Sequence, residues 1–187
     1  MAKTENPTCI TIGVGRFSYL RCFKPESMEE GGQKKYSISF LVPKSDKKTI
    51  AKINQAIEAA KEEGKEKKWK GKIPSKLKIS FYDGDDERPD DENYADHMFI
   101  SAHSTTKPGV VNSRREPIMD EDEVGSGDYG YINVNVYPYS SNGSNGIAFS
   151  FNHLMMTKRG ERLSGKISAD SAFEGIEVAE EDDDLAG

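Results

Sequence analysis

Between Gly127 and Phe151 the chain reads GDYGYINVNVYPYSSNGSNGIAFSF, and its apolar positions alternate. Ile132, Val134, Val136 and Pro138 are one set; Tyr129, Tyr131, Asn133, Asn135, Tyr137 and Tyr139 are the other. Successive side chains of a strand point to opposite faces, so this stretch has one face for a core and one of tyrosines and asparagines. Ser140 to Gly146 holds two Asn-Gly pairs, a hairpin signal, and predicts a return strand ending near Phe151. The same period recurs upstream. Thr8 to Tyr19 alternates Ile10, Ile12 and Val14 against Thr11, Gly13 and Gly15, with the glycines marking a bend or bulge. Lys34 to Val42 places Tyr36, Ile38, Phe40 and Val42 on one face and stops at Pro43. Lys76 to Tyr82 turns Leu77, Ile79 and Phe81 inward and Lys76, Lys78, Ser80 and Tyr82 outward. His97 to Ala102 predicts a short strand and Val110-Val111 a shorter extended piece.

The period changes once. In Ser45 to Lys68 the apolar residues Ile50, Ile53, Ile57 and Ala60 recur at helical spacing, with Ser45 or Asp46 to cap the start and Gly64 expected to end or fray the helix. At least six short strands, one helix and no βαβ repetition predict a mainly β fold, a small barrel whose helix plugs one end. Two stretches between strands, 83–96 and 119–127, read as acidic loops. From Ala169 onward the sequence is acidic with isolated apolar residues, which predicts a largely disordered tail. The expected organisation is one domain over 1–168 and a tail over 169–187.

Charge changes this picture. The formal net charge is −6, which by itself argues against a polyanionic ligand. Yet residues 169–187 carry −8, residues 83–96 carry −7 and residues 116–128 carry −6, leaving +15 on the rest. The chain is a basic body with three acidic segments. No run of 18 apolar residues suggests a membrane span, and the N-terminal residues lack a signal pattern. Two cysteines, Cys9 and Cys22, form no disulfide framework and are expected as free thiols in a reducing cytoplasm.

Motifs for chemistry fall short. Gly160 to Ile167, GERLSGKI, lacks the Ser or Thr that a phosphate-binding loop needs after its lysine. The acids after Asp83 break EF-hand spacing, because the glycine comes at 84 and no Glu closes the loop. His97, His103 and His153 have no cysteine at zinc spacing. No catalytic residues, metal or cofactor are expected. Lys61 to Lys72, rich in lysine around Trp69, reads as a solvated helix end or as an added phosphate contact.

What remains is a binding surface. Gripping unpaired nucleic acid without reading sequence takes cations along the phosphates and aromatic faces on which bases stack, at about 1–3 kcal/mol per base. The chain offers Tyr131, Tyr137 and Tyr139 on one strand face, Phe17 and Tyr19 on another strand, and Arg16, Arg21, Lys24, Lys34, Lys35, Lys76, Lys78, Lys107, Arg114 and Arg115.

From His97 to Phe173 the order of pieces is FISA, TKPGVV, EPI, an acidic loop, GDYGYINVNVYPY, NGIAFSFNHL, RGERLSGK and SADSAF. In this order the chain resembles a bacteriophage family of single-stranded DNA-binding proteins, formerly a domain of unknown function, and more distantly the replication single-strand binders of T-odd phages. The similarity runs from Arg16 to Phe173 and is densest after Pro108. It implies an OB-fold-like barrel that coats single-stranded DNA in phage replication or recombination, as a monomer or homodimer in the host cytoplasm. It marks Tyr131, Tyr137 and Tyr139, with Arg114 and Arg115, as groove candidates. It also implies that the tail competes with DNA and contacts replication proteins such as a polymerase, helicase or recombinase, through Glu180, Glu181, Asp182, Asp183, Asp184 and Leu185. Such tails commonly end in an aromatic residue; here a partner pocket would have to accept Leu185. Two rival readings are a metal-dependent nuclease using Asp83, Asp85 and Asp86, and a phage structural protein that binds other proteins.

Overall fold

The protein is described by a computed structural model, covering residues 6–27, 29–163, 173 and 175–177. The expected boundary at 168 and the tail residues Glu180 to Leu185 lie outside the described residues. Among the described residues eight strands form one sheet: β1 (Cys9–Glu26), β2 (Lys35–Pro43), β3 (Lys78–Ile79), β4 (Phe81–Asp83), β5 (His97–Ser104), β6 (Gly109–Val111), β7 (Tyr129–Ser141) and β8 (Ser144–Lys158). Antiparallel pairing runs β8–β7–β1–β2–β5, and a parallel contact of β5 with β8, Ala102 beside Phe149 and His103 beside Ser150, closes the ring. The result is a five-stranded barrel of the OB type. β3, β4 and β6 lie outside the closed ring, on β8, β5 and β8.

The alternation read from the sequence is what fills the barrel. Ile10, Ile12, Ile38, Phe40, Val42, Ile100, Ala102, Ile132, Val134, Val136, Ile147, Phe149, Phe151 and Leu154 are all buried in one core. Val14 departs from the expected pattern. The register between β1 and β7 slips between Gly13 and Gly15, which turns Val14 out to 44 % exposure. A bulge adds one residue to one strand and so reverses the sidedness beyond it.

The helix α1 (Lys47–Lys67) is opened by Asp46, whose carboxylate accepts from the Thr49 N–H at 3.1 Å, and it packs its buried face against β7 and β1. Ile53, Ala56, Ile57 and Ala60 form that face, while Ile50 is only half-buried. Gly64 does not end the helix. It is a point of close approach, because a methyl group there would sit 2.6 Å from both Pro138 and Trp69. Trp69 is correspondingly core, with its indole N–H donating to the Tyr139 carbonyl at 3.4 Å. It is therefore not part of a surface for phosphates, whatever the lysines around it do.

Two other expectations are corrected. The strand expected over 76–82 divides at Ser80: Lys78 and Ile79 pair with β8, and Phe81 to Asp83 with β5. The acidic stretch 83–96 is built, not merely solvated. A short helix α2 (Gly84–Glu87) and a 3-10 turn (Glu92–Tyr94) bring the Tyr94 ring under cover beside Leu41 and Phe99. Its hydroxyl bonds the Ser18 hydroxyl at 2.8 Å. This small second core explains why β2 is buried on both faces. The 119–127 loop is likewise pinned at its end. The fully buried Asp128 carboxylate accepts from the Gly125 and Gly160 N–H groups and pairs with Arg162 at 2.9 Å.

Candidate nucleic-acid interface

The outward face of β7 meets small residues on its neighbours. Tyr131 pairs with Gly13 of β1, Tyr137 with Ala148 and Tyr139 with Gly146 of β8. Cross-strand partners share a face, so each of these rings has a small residue beside it on one strand, while on its other side Tyr131 meets Met155 of β8. The consequence is measurable at the glycines. A methyl group at Gly13 would lie 2.5 Å from the Tyr131 ring, and one at Gly146 would lie 2.5 Å from the Tyr139 hydroxyl. The Tyr131 and Tyr139 rings thus lie over neighbouring backbone and are half-buried. Tyr137 is 43 % exposed. Burial, and then the nearby Tyr139, push its phenol pKa upward, so it remains neutral.

Between the tyrosines runs a chain of polar side chains. Asn133 donates from its amide to the Thr11 hydroxyl at 2.9 Å and accepts from the Asn152 amide at 3.0 Å. The Ser150 hydroxyl donates to the Asn152 carbonyl at 3.3 Å. Across the β5–β8 closure, His103 stands beside Ser150. The two ends of this face are concave. One hollow is lined by Tyr131, Asn133, His153 and Met155. The other is lined by Asn135, Tyr137, Ser150, His103 and Lys35, and continues past Lys35 towards Arg21. Burial, and then the Lys35 charge, hold the His103 imidazole below its ordinary pKa.

The predicted cations fall around this face unevenly. Lys35 lines the second hollow. Lys78 pairs with Gly146 at the Tyr139 end, with Lys76 just before it; both lysines are exposed. Arg114 and Arg115 are exposed on a turn that leaves β6, whose Val111 pairs with Met155 at the Tyr131 end. Lys34 is exposed next to Lys35. Lys107 follows the Thr105-Thr106 wall of the second hollow and places its ammonium over the Phe23 ring at 5.4 Å. Arg21 lines the outer end and pairs with Glu26 at 2.9 Å, while Lys24 reaches Glu121 at 3.7 Å.

Three candidates from β1 sit elsewhere. Phe17 is fully buried and packs on Phe40 with ring centroids 6.2 Å apart, so it cannot stack on a base. It lies before the slip at Ser18 to Arg21, on the barrel's inner side. The Arg16 guanidinium donates to the carbonyls of Gly127 at 3.0 Å and Glu161 at 2.9 Å and covers the Tyr129 ring, so it is a structural clamp. Tyr19 is exposed, but in a different hollow, with Glu121, Asp122 and Arg159, and Arg88 lies over its ring at 5.3 Å. Conversely, Thr11, His103, Ser150, Asn152, His153 and Met155 are not among the expected binding residues, and Asn133 is expected on this face only as a polar spacer. Extending the alternation through the return strand would have found those on β8, since Ser150 and His153 fall opposite Asn135 and Asn133.

Two of the three acids named for a nuclease are otherwise engaged. Asp83 and Asp85 share the Lys44 ammonium at 2.8 and 2.6 Å, and that contact is the main cause holding both carboxyls below the usual range. Among the described residues no three metal-ligating side chains converge, and no helix is long and apolar enough to cross a membrane.

The sequence model of a family described as the single-stranded DNA-binding protein of Enterobacter phage Enc34 matches residues 8–186, and the chain belongs to that family. It is a family of binding proteins, not of enzymes. Protein p50 of Acyrthosiphon pisum secondary endosymbiont phage 1 is 27 % identical over 182 residues, covering 91 % of this chain and 95 % of p50. Among solved structures, the Enc34 protein in complex with single-stranded DNA superposes with a TM-score of 0.74 at 27 % identity, over 84 % of this chain and 90 % of that one. The bacteriophage T7 single-stranded DNA-binding protein gp2.5 shares the fold, with a TM-score of 0.58 at 16 % identity over 89 % and 98 % of the two chains.

Proposed function

We propose that this member of the Enc34 family coats single-stranded DNA without reading its sequence, in phage replication or recombination in the host cytoplasm. The observation that carries the reading is the outer face of β7 and β8, where Tyr131 and Tyr139 lie over glycine backbone and Tyr137 stands open. Bases stack on these rings. Asn133, Asn135 and Ser150 accept any base edge between them. The strand enters or leaves past Arg114 and Arg115 at one end and past Lys78 and Lys76 at the other, with Lys35 and Lys34 alongside. From Tyr131 to Tyr137 this track is about 20 Å long at strand spacing. The Enc34 protein's own complex with single-stranded DNA supports the ligand class.

The segment 169–187, with eight acids and no Lys or Arg, competes with DNA for the cationic rim and offers Glu180 to Leu185 to replication proteins once displaced. The test is fluorescence anisotropy of labelled oligo-dT with the full chain and with residues 169–187 deleted, at two salt concentrations. The expected result is binding that weakens with salt, as counterion release requires, and tighter binding by the deletion, most of all at low salt. Absence of binding at low salt would overturn the reading. Equal affinities of the two forms would remove the tail from it.

A further inference from the structure

The hollow at the Tyr131 end differs from the rest of the face. The difference is not size, since it measures about 420 Å³ against about 490 Å³ for the second hollow, both within the roughly 300–1,000 Å³ typical of small-molecule sites; it is the lining. Its walls are apolar. Tyr131 supplies a ring lying over Gly13, Met155 stands directly across from Tyr131, and Val111 of β6 pairs with Met155 on the far side. One imidazole stands at its rim. His153 pairs with both Asn133 of β7 and Gly109 of β6. A methyl group at Gly109 would fall 2.6 Å from its Nδ1, so the ring leans over backbone that only glycine leaves clear. Among the described residues His153 is exposed and its imidazole makes no hydrogen bond, whereas the side chain of its neighbour Asn133 is held by Thr11 and Asn152.

A flat apolar pocket with one unengaged donor-acceptor ring at its edge fits a heteroaromatic ring that carries polar groups on its perimeter. We propose that this hollow is a discrete nucleobase site: one unpaired base lies on Tyr131, touches Met155 and Val111, and turns its polar edge to the His153 imidazole. This rests on the reading of the β7–β8 face as a DNA track and makes one position of that track unlike the others. Elsewhere a base rests on an open ring. Here it also meets Met155 and Val111, so its contribution is carried by β6 and β8 as well as by β7.

The site can be isolated from phosphate binding by removing the bases. The full chain and its His153→Ala and Met155→Ala variants are titrated with oligo-dT and with an abasic oligodeoxynucleotide of the same length, at fixed salt. The expected result is that each variant loses about 5- to 50-fold affinity for oligo-dT, within the range for one stacked base, and none for the abasic strand. His153 is exposed, so its variant serves even where Met155→Ala does not fold. Equal losses on both strands, or no loss on either, would overturn the site. If the unaltered protein binds neither strand, the DNA-binding reading itself has failed, which is a different result.

Discussion

Two stretches of this chain look alike on paper and do opposite things. Arg16 to Lys24 and Tyr129 to Tyr139 both interleave aromatic and polar residues on barrel strands. In the first, the barrel turns inward at a bulge. Phe17 enters the core, Arg16 clamps two carbonyls, and the Tyr19 ring is covered by Arg88. In the second, Tyr131 and Tyr139 lie half-buried over Gly13 and Gly146 and Tyr137 stands exposed across from Ala148, while Tyr129 is covered by Arg16. What separates Phe17 from Tyr131 and Tyr139 is a residue across the ladder, Phe40 for the first and a glycine for each of the others. A large or charged partner absorbs the ring or the cation; a glycine leaves a flat surface.

The largest effect that could break this contrast is on stability. Phe17→Ala should cost about 3–5 kcal/mol in urea unfolding, the usual range for a buried Phe. Tyr137→Ala should change stability by no more than about 0.5 kcal/mol, as for a surface site, but weaken oligo-dT binding by about 1–3 kcal/mol. The opposite assignment of the two losses would reverse the comparison.

Next comes charge. Arg114→Ala should reduce the steepness of the log affinity against log salt plot by about 0.7, the increment for one phosphate on a single strand. Arg16→Ala should leave that slope unchanged while lowering the unfolding midpoint, because its hydrogen bonds are to protein carbonyls.

The smallest effect is with pH. His103 is held below its ordinary imidazole pKa by burial and then by Lys35, so near neutrality it is uncharged. A phosphate beside it favours the imidazolium. Oligo-dT affinity should therefore rise a few-fold, to order of magnitude, as pH falls below the ordinary value of about 6.5, and His103→Gln should remove the rise. In the free protein the sign is opposite for folding. The depressed pKa means that the unfolded chain binds the proton more readily, so the stability His103 contributes is present above about 6.5 and lost as pH falls below it.

The barrel and its helix plug were legible because period-2 and helical spacing survive directly in the fold. Ile132, Val134 and Val136 point where their alternation says, and Asp46 caps the helix it precedes. The failures were tertiary. Nothing local to Phe17 tells that the strand's other side will be lined by Phe40. Nothing local to 83–96 tells that Tyr94 will cover Leu41. The candidate site was half legible: β7 announced its tyrosines, but the polar chain through Asn152 and Ser150 depends on the pairing of β7 with β8, and His103 reaches the face only because β5 closes the ring.

The location of the DNA can be tested on the unaltered protein through its two thiols. Cys9 is half-buried on the outer face, directly across from Asn135. Cys22 is buried, and desolvation pushes its thiol pKa up to about 12, so it serves as an unreactive internal reference. Alkylation followed by mass spectrometry should show Cys9 modified in the free protein and strongly protected by saturating oligo-dT, with Cys22 unmodified in both. Unchanged Cys9 reactivity while the oligonucleotide is demonstrably bound would place the DNA elsewhere and contradict the account.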